Sequence, residues 1–97
     1  MSDFTQAKKL YKMEYAADAV RTVLERANMP MKKDRIIDLA YPVAIREWDN
    51  DVGYHTIDGK EIDPPEPGFF RTNWSELRWF LAENRRVYMI WDANGTR

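Results

Sequence analysis

Residues 73–91, NWSELRWFLAENRRVYMIW, hold three of the four tryptophans of the chain and decide the predicted fold. Apolar side chains recur there every three or four residues, which places one set on a single helix face: Trp74, Leu77, Phe80 and Leu81. Asn73 and Glu76 have the spacing of a capping box that starts this helix. Asn84 suits its C-terminal end. Residues 86–91 are rich in β-branched and aromatic residues, which predicts a strand.

On this helix Trp79 points away from the apolar stripe, at about 100° per residue. Burying such a ring stabilises a protein by roughly 2–3 kcal/mol, so an exposed position needs a reason. Three interpretations stay open. Trp79 packs under the 49–70 segment, or it forms a protein-binding or dimer surface, or its arginine neighbours contact phosphates.

The N-terminal half predicts two or three helices. The first carries a periodic apolar face: Met13, Ala16, Ala17, Val20, Val23, Leu24 and Ala27. Residues 5–12 extend it, with Leu10 on or near that face, and Asn28 with Pro30 ends it. A second helix covers about 32–40 through Ile36, Ile37, Leu39 and Ala40. Pro42 then leaves one kinked helix and two short helices as equal alternatives up to about residue 49.

Glycine, proline, aspartate and asparagine dominate residues 49–70, which predicts a surface excursion. Asp58-Gly59 lies between two short runs and indicates a hairpin turn. The segment 64–68, PPEPG, is typical of a stiff extended spacer without regular structure. Phe69 and Phe70 are then free to pack back onto the core.

Composition bounds the class of protein. The 97 residues predict one domain, and 44% hydrophobic content suffices for one modest core. No run approaches the roughly 18 apolar residues of a membrane span. The first residues lack the apolar centre of a signal peptide, and cysteine is absent. We therefore expect a cytoplasmic protein without a membrane partner.

The net charge of −1 conceals an uneven distribution. Residues 8–35 carry eight bases against four acids, residues 47–66 seven acids against one base, and residues 71–86 four bases against two acids. A basic, acidic, basic order predicts faces of opposite sign on the folded surface.

Signs of catalysis are few. His55 is the only histidine, and the chain has no cysteine with which to pair it. Neither Ser2 nor Ser75 lies in a nucleophile elbow. Residues 49–51, DND, fail the spacing of a calcium loop, and no glycine-rich phosphate loop occurs. We expect no metal, no cofactor and no enzymatic activity.

Two stretches resemble a winged helix-turn-helix domain. Residues 19–40, AVRTVLERANMPMKKDRIIDLA, are similar to its opening helices, and residues 73–91 are similar to its recognition helix running into a wing strand. The resemblance implies duplex DNA binding with the 74–84 helix in the major groove. The sequence departs from the pattern by the long stretch 41–72, and by the lack of a return strand after Trp91 unless residues 54–62 pair with it.

The sequence thus predicts a small α+β, winged-helix-like domain spanning residues 1–97. It has three to four helices, a short β-hairpin or strand on the C-terminal side, and a 49–72 loop or hairpin insertion. Its predicted function is that of a non-catalytic DNA-binding regulator, acting as a homodimer if the site is palindromic. The predicted DNA contacts are Lys32, Lys33, Arg35, Arg71, Ser75, Arg78, Arg85 and Arg86.

The alternative is a protein-interaction module or inhibitor, similar to small accessory proteins of phages and mobile elements. Its partner would be a protein that itself handles DNA. The aromatic surface in that case is Trp79, Tyr88 and Trp91, with the acidic 47–66 segment contributing.

Overall fold

A computed structural model describes residues 2–27, 31–51, 55–81 and 90–91, with only the backbone described at positions 2, 3, 79, 80, 90 and 91. The helices are α1 (Ser2–Ala27), α2 (Lys33–Asn50), α3 (Pro67–Thr72) and α4 (Trp74–Phe80). The strands, two residues each, are β1 (Met31–Lys32), β2 (Thr56–Ile57), β3 (Lys60–Glu61) and β4 (Ile90–Trp91). Together they make a small, mostly helical α+β fold.

Helix α1 forms as its periodicity predicts, and the extension is longer than expected. Met13, Ala16 and Val20 have no exposed surface, so the predicted apolar face is the buried one. The helix continues back to Ser2, but Leu10 is 43% exposed rather than on the apolar face. No described helix is long and apolar enough to cross a membrane.

Helix α2 resolves the alternatives at Pro42, because residues 33–50 form one continuous helix that contains it. Proline lacks an N–H, so the Asp38 carbonyl four residues earlier has no helical donor. The face that packs against α1 consists of Ile36, Ile37, Ala40, Ala44 and Trp48. Leu39, one of the apolar residues that indicate this helix, is 39% exposed.

The predicted hairpin is confirmed. Strands β2 and β3 are antiparallel, with Thr56 opposite Glu61 and Ile57 opposite Lys60. Asp58 and Gly59 both have positive φ, 55° and 78°, as a two-residue type I′ turn requires. Beyond it, Ile62 and Pro65 are buried.

The prediction that residues 64–68 exclude regular structure is wrong at its C-terminal end. Pro67 opens α3, because proline is tolerated in a first helical turn where its missing N–H has no partner anyway. Phe70 in this helix is fully buried, and Phe69 packs at the edge of the core. The excursion therefore returns to the core through a helix.

Leu77 of α4 and Leu81, which directly follows this helix, both turn inward, at 0% and 1% exposure, as the sequence predicts. The predicted capping box is wrong. Asn73 precedes the helix and its carbonyl accepts from the Leu77 N–H, but its side-chain amide donates to the Phe69 carbonyl at 2.9 Å. Glu76 instead pairs with Lys9 of α1, because that ammonium lies 2.5 Å from its carboxylate.

The C-terminal strand β4 pairs with β1, whereas the sequence offered the 54–62 segment as an alternative partner. Ile90 and Trp91 run parallel to Met31 and Lys32, so the 54–62 segment is not their neighbour in the sheet. This pairing ties the end of the chain to the start of α2. The rest of the predicted 86–91 strand and the Asn84 helix end lie outside the described residues.

Candidate functional site

The start of α2 carries three of the predicted DNA contacts. Lys32 and Arg35 are exposed and Lys33 is half-buried, with Asp34 in the same turn. The backbone of Lys32 is extended, at φ −79° and ψ 156°, and its side chain does not cap the helix. The first N–H groups of α2 therefore lack a side-chain cap from residue 32, and they add the positive end of the helix dipole to this basic group.

A second basic group lies on α3 and α4. Arg71 is exposed on α3, while Ser75 is exposed and Arg78 half-buried on α4. Glu76 on the same helix is paired with Lys9, which offsets its repulsion of an approaching anion. Arg85 and Arg86 lie outside the described residues.

The lysines of α1 contact their own chain instead. The ammonium groups of Lys8 and Lys60 lie 5.4 Å and 5.1 Å from the ring centroid of Phe4. Lys12 lies 5.1 Å from the ring centroid of Phe69. Such contacts hold a cation over an aromatic face. Lys8, Lys12 and Lys60 thus lie over half-buried rings, which distinguishes them from the bases at the start of α2.

Acidic residues concentrate in a groove between α1 and the end of α2. A depression of about 230 Å³ is lined by Glu14, Tyr15, Asp18, Glu47 and Asp51. Within the described residues no group of three or more histidine, aspartate or glutamate side chains is arranged to hold a metal ion. This groove repels phosphate, so an anionic ligand would have to approach another face of the molecule.

Tyr15 lines the acidic groove and forms a hydrogen bond with one of its carboxylates. Its hydroxyl donates to Asp51 Oδ2 at 2.5 Å. Burial of the phenol, and then the hydrogen bond to Asp51 and its negative charge, raise the pKa of Tyr15 well above its ordinary range. The phenol therefore stays protonated, because its anion would lie beside a carboxylate.

An aromatic cluster that the sequence did not predict adjoins this groove: Tyr11, Tyr15, Trp48 and His55. The His55 imidazole stacks on the Trp48 indole, with ring centroids 3.8 Å apart and ring planes at 19°. His55 Nε2 donates to the Trp48 carbonyl at 2.7 Å, since a carbonyl only accepts, and the Tyr11 hydroxyl donates to Nδ1 at 2.9 Å. Both ring nitrogens are thus occupied.

This cluster joins three elements, because its members come from α1, α2 and the residue that leads into β2. Tyr11 and Tyr15 are four residues apart, which puts them on one face of α1 and is the only local signal of the site. His55 is half-buried and forms hydrogen bonds through both ring nitrogens.

The predicted protein-binding residues are not placed by the structure. Trp79 and Trp91 are described only by their backbone, in α4 and β4, and Tyr88 lies outside the described residues. The expectation that Trp79 is buried under the 49–70 segment also falls outside them.

Comparison with family models, with curated proteins and with solved structures finds no significant match to this chain.

Proposed function

We propose that this chain is a small, non-catalytic DNA-binding regulator with a winged-helix-like domain. The observation that carries the proposal is the contrast between two sets of bases. Within the described residues Lys32, Lys33 and Arg35 form no ion pair with their own chain, whereas the α1 lysines contact Phe4, Phe69 and Glu76. Cations left unpaired beside the first turn of a helix suit phosphate oxygens.

In this proposal the start of α2 contacts the DNA backbone, and α4 approaches the major groove with Ser75 and Arg78. Arg71 on α3 adds a further phosphate contact, and Arg85 and Arg86 belong to the same predicted surface. The acidic groove at Tyr15 is not part of the proposed DNA contact, because its carboxylates repel phosphate. The affinity then comes mainly from phosphates and depends strongly on salt.

The winged-helix part of the proposal is supported by element order. Helix, strand and helix in α1, β1 and α2 are followed later by α4 and β4, and β4 pairs with β1. A cytoplasmic location belongs to the same proposal. The alternative, a protein-binding surface around Trp79, Tyr88 and Trp91, stays a prediction.

The test is a titration of a labelled random-sequence duplex with the purified protein, followed by fluorescence anisotropy. We expect micromolar or tighter binding at about 50 mM salt that weakens steeply toward about 200 mM. Absence of binding at the lower salt concentration would remove the DNA proposal. A protein-binding role would then be tested by partner capture with wild type and with Trp79→Ala.

A further inference from the structure

The outer face of α2 carries a symmetric pattern centred on Pro42. At about 100° per residue, seven side chains lie within roughly 60° of the direction of Pro42, opposite the face that packs on α1. Leu39 and Ile45 are three residues from it on either side. Asp38 and Arg46 are four residues away, and Arg35 and Asp49 are seven residues away.

These side chains are accessible. Arg35, Asp38, Pro42, Arg46 and Asp49 are exposed, Leu39 is 39% exposed, and Ile45 is half-buried. Within the described residues none of the four charged groups forms an ion pair with its own chain. The face therefore presents apolar and charged groups that have no partner there.

The signs of the charges are reversed across Pro42, whereas the apolar positions are matched. Negative Asp38 stands opposite positive Arg46, and positive Arg35 stands opposite negative Asp49, with leucine and isoleucine between them. In an antiparallel helix pair with a two-fold axis through Pro42, each position at +n faces the position at −n of the other chain. Every facing pair is then complementary.

A parallel pair would be unfavourable by the same reasoning. It would place Asp38 against Asp38 and Arg46 against Arg46, and like charges in contact repel. The pattern therefore selects one orientation as well as one face. A partner of unrelated sequence would have no need of this internal symmetry.

The shape of the face fits such a pairing. A depression of about 600 Å³ lies beside Pro42, lined by Tyr41, Pro42, Ile45, Arg46, Asp49 and Asn50. In the two-fold arrangement Leu39 of the second copy faces Ile45 and enters this depression. Its exposed isobutyl group is thereby removed from water, which favours association.

We propose that the chain forms a two-fold homodimer through the outer face of α2, with Pro42 at the axis. Asp38 of each copy pairs with Arg46 of the other, Arg35 with Asp49, and Leu39 packs on Ile45. The dimer stands on the α2 pattern and does not depend on DNA binding. An interface of one helix pair lies at the small end of specific interfaces, so the association is reversible.

The dimer has a geometric consequence for the proposed function. With a rise of 1.5 Å per residue and helix axes 8–10 Å apart, the two starts of α2 lie about 30 Å apart. One turn of B-DNA is about 34 Å, so the two copies of Lys32 and Lys33 have a suitable separation for successive turns. In the dimer Arg35 pairs with Asp49 of the other copy and no longer contacts phosphate, so the phosphate contacts proposed at the start of α2 are then those of Lys32 and Lys33.

The test is sedimentation equilibrium over a range of protein concentrations, without DNA. Wild type is expected to associate to a dimer. Asp38→Arg alone places positive charges opposite each other, and Arg46→Glu alone places negative charges opposite each other. Either change is expected to raise the dissociation constant at least about tenfold, since facing like charges are strongly unfavourable.

The decisive sample is an equimolar mixture of the two variants. Asp38→Arg on one chain then faces Arg46→Glu on the other, and the native Arg46 and Asp38 face each other, so the mixture is expected to dimerise near the wild-type level. Glu47→Arg makes the same charge change as Asp38→Arg, but lies on α2 outside this face, and is expected to leave association unchanged. Circular dichroism verifies that each variant is folded.

Three results would overturn the dimer. Wild type remains monomeric at every concentration, or the mixture of folded variants fails to associate, or Glu47→Arg weakens association as much as Asp38→Arg. Since no DNA is present, failure here is distinct from failure of the duplex titration.

Discussion

The imidazole of His55 lies flat against the indole of Trp48, with centroids 3.8 Å apart, and donates to the carbonyl of that same residue. Trp48 belongs to α2 and His55 precedes the β2–β3 hairpin, so this contact fixes the excursion to the helical core. Tyr11 completes the link by bonding the other ring nitrogen from α1.

We predict that His55→Ala lowers the free energy of unfolding by about 1–3 kcal/mol, because it removes two part-buried hydrogen bonds and a ring contact. Urea denaturation followed by circular dichroism measures the change. The matched control is Thr56→Ala, one residue on and exposed, which is expected to change stability by less than about 0.5 kcal/mol. Equal effects of the two substitutions would mean that His55 does not hold the hairpin in place.

The raised pKa of Tyr15 leads us to predict that the folded protein loses stability in alkaline solution. Its pKa is raised in the folded protein, so above the ordinary tyrosine pKa of about 10 the unfolded chain releases a proton that the folded chain retains. The free energy of unfolding therefore falls as pH rises beyond that value, and the contribution is fully present below it.

Denaturation at increasing pH measures this dependence for wild type, Tyr15→Phe and Asp51→Asn. Tyr15→Phe should flatten the alkaline fall, and Asp51→Asn should reduce it by removing the carboxylate beside the phenol. An unchanged slope in Tyr15→Phe would show that other groups cause the fall.

Phe70 tests whether α3 is part of the core. Its side chain has no exposed surface, so Phe70→Ala is predicted to destabilise the protein by about 3–5 kcal/mol. Phe69→Ala, in the same helix but at the edge of the core, is expected to cost less. Chemical denaturation compares the two, and a larger effect at Phe69 would contradict the described packing.

Substitution of Glu76 tests whether its carboxylate pairs with Lys9 or takes part in a capping box. Both side chains are partly exposed, so the pair contributes about 1 kcal/mol at most and is screened by salt. We predict that Glu76→Gln and Lys9→Gln each cost little, and that their effects are not additive in a double-mutant cycle. A coupling that is absent at low salt would contradict the pair.

The sequence correctly predicted the features that depend on residues close to one another in the chain. The apolar period places Leu77 and Leu81 inward, and Asp58-Gly59 supplies the two positive φ angles of the hairpin. The composition of residues 64–68 gave a wrong prediction at Pro67. Proline prevents the continuation of a helix, but it is favourable in the first helical turn. Burial of the Phe70 side chain in the core stabilises this short helix.

The candidate site could not be predicted in the same way, because it is formed by contacts between residues that are far apart in the sequence. His55 bonds Tyr11, 44 residues away in sequence, and Glu76 bonds Lys9 of another helix rather than its own backbone. The basic residues at the start of α2 were predictable as a group from charge. That they form no ion pair within the described residues was not predictable from charge, since α1 is also rich in lysine and its lysines contact aromatic rings and Glu76.

The most direct test of the DNA-binding proposal is the salt dependence of duplex affinity for Lys32→Gln/Lys33→Gln beside wild type, with Lys8→Gln as control. If both lysines contact phosphates, the slope of log affinity against log salt concentration decreases by roughly 1.8, at about 0.9 for each contact. Lys8→Gln should leave the slope unchanged, because Lys8 covers Phe4. A double variant with the wild-type slope, or a wild type that does not bind the duplex at low salt, would contradict the proposal.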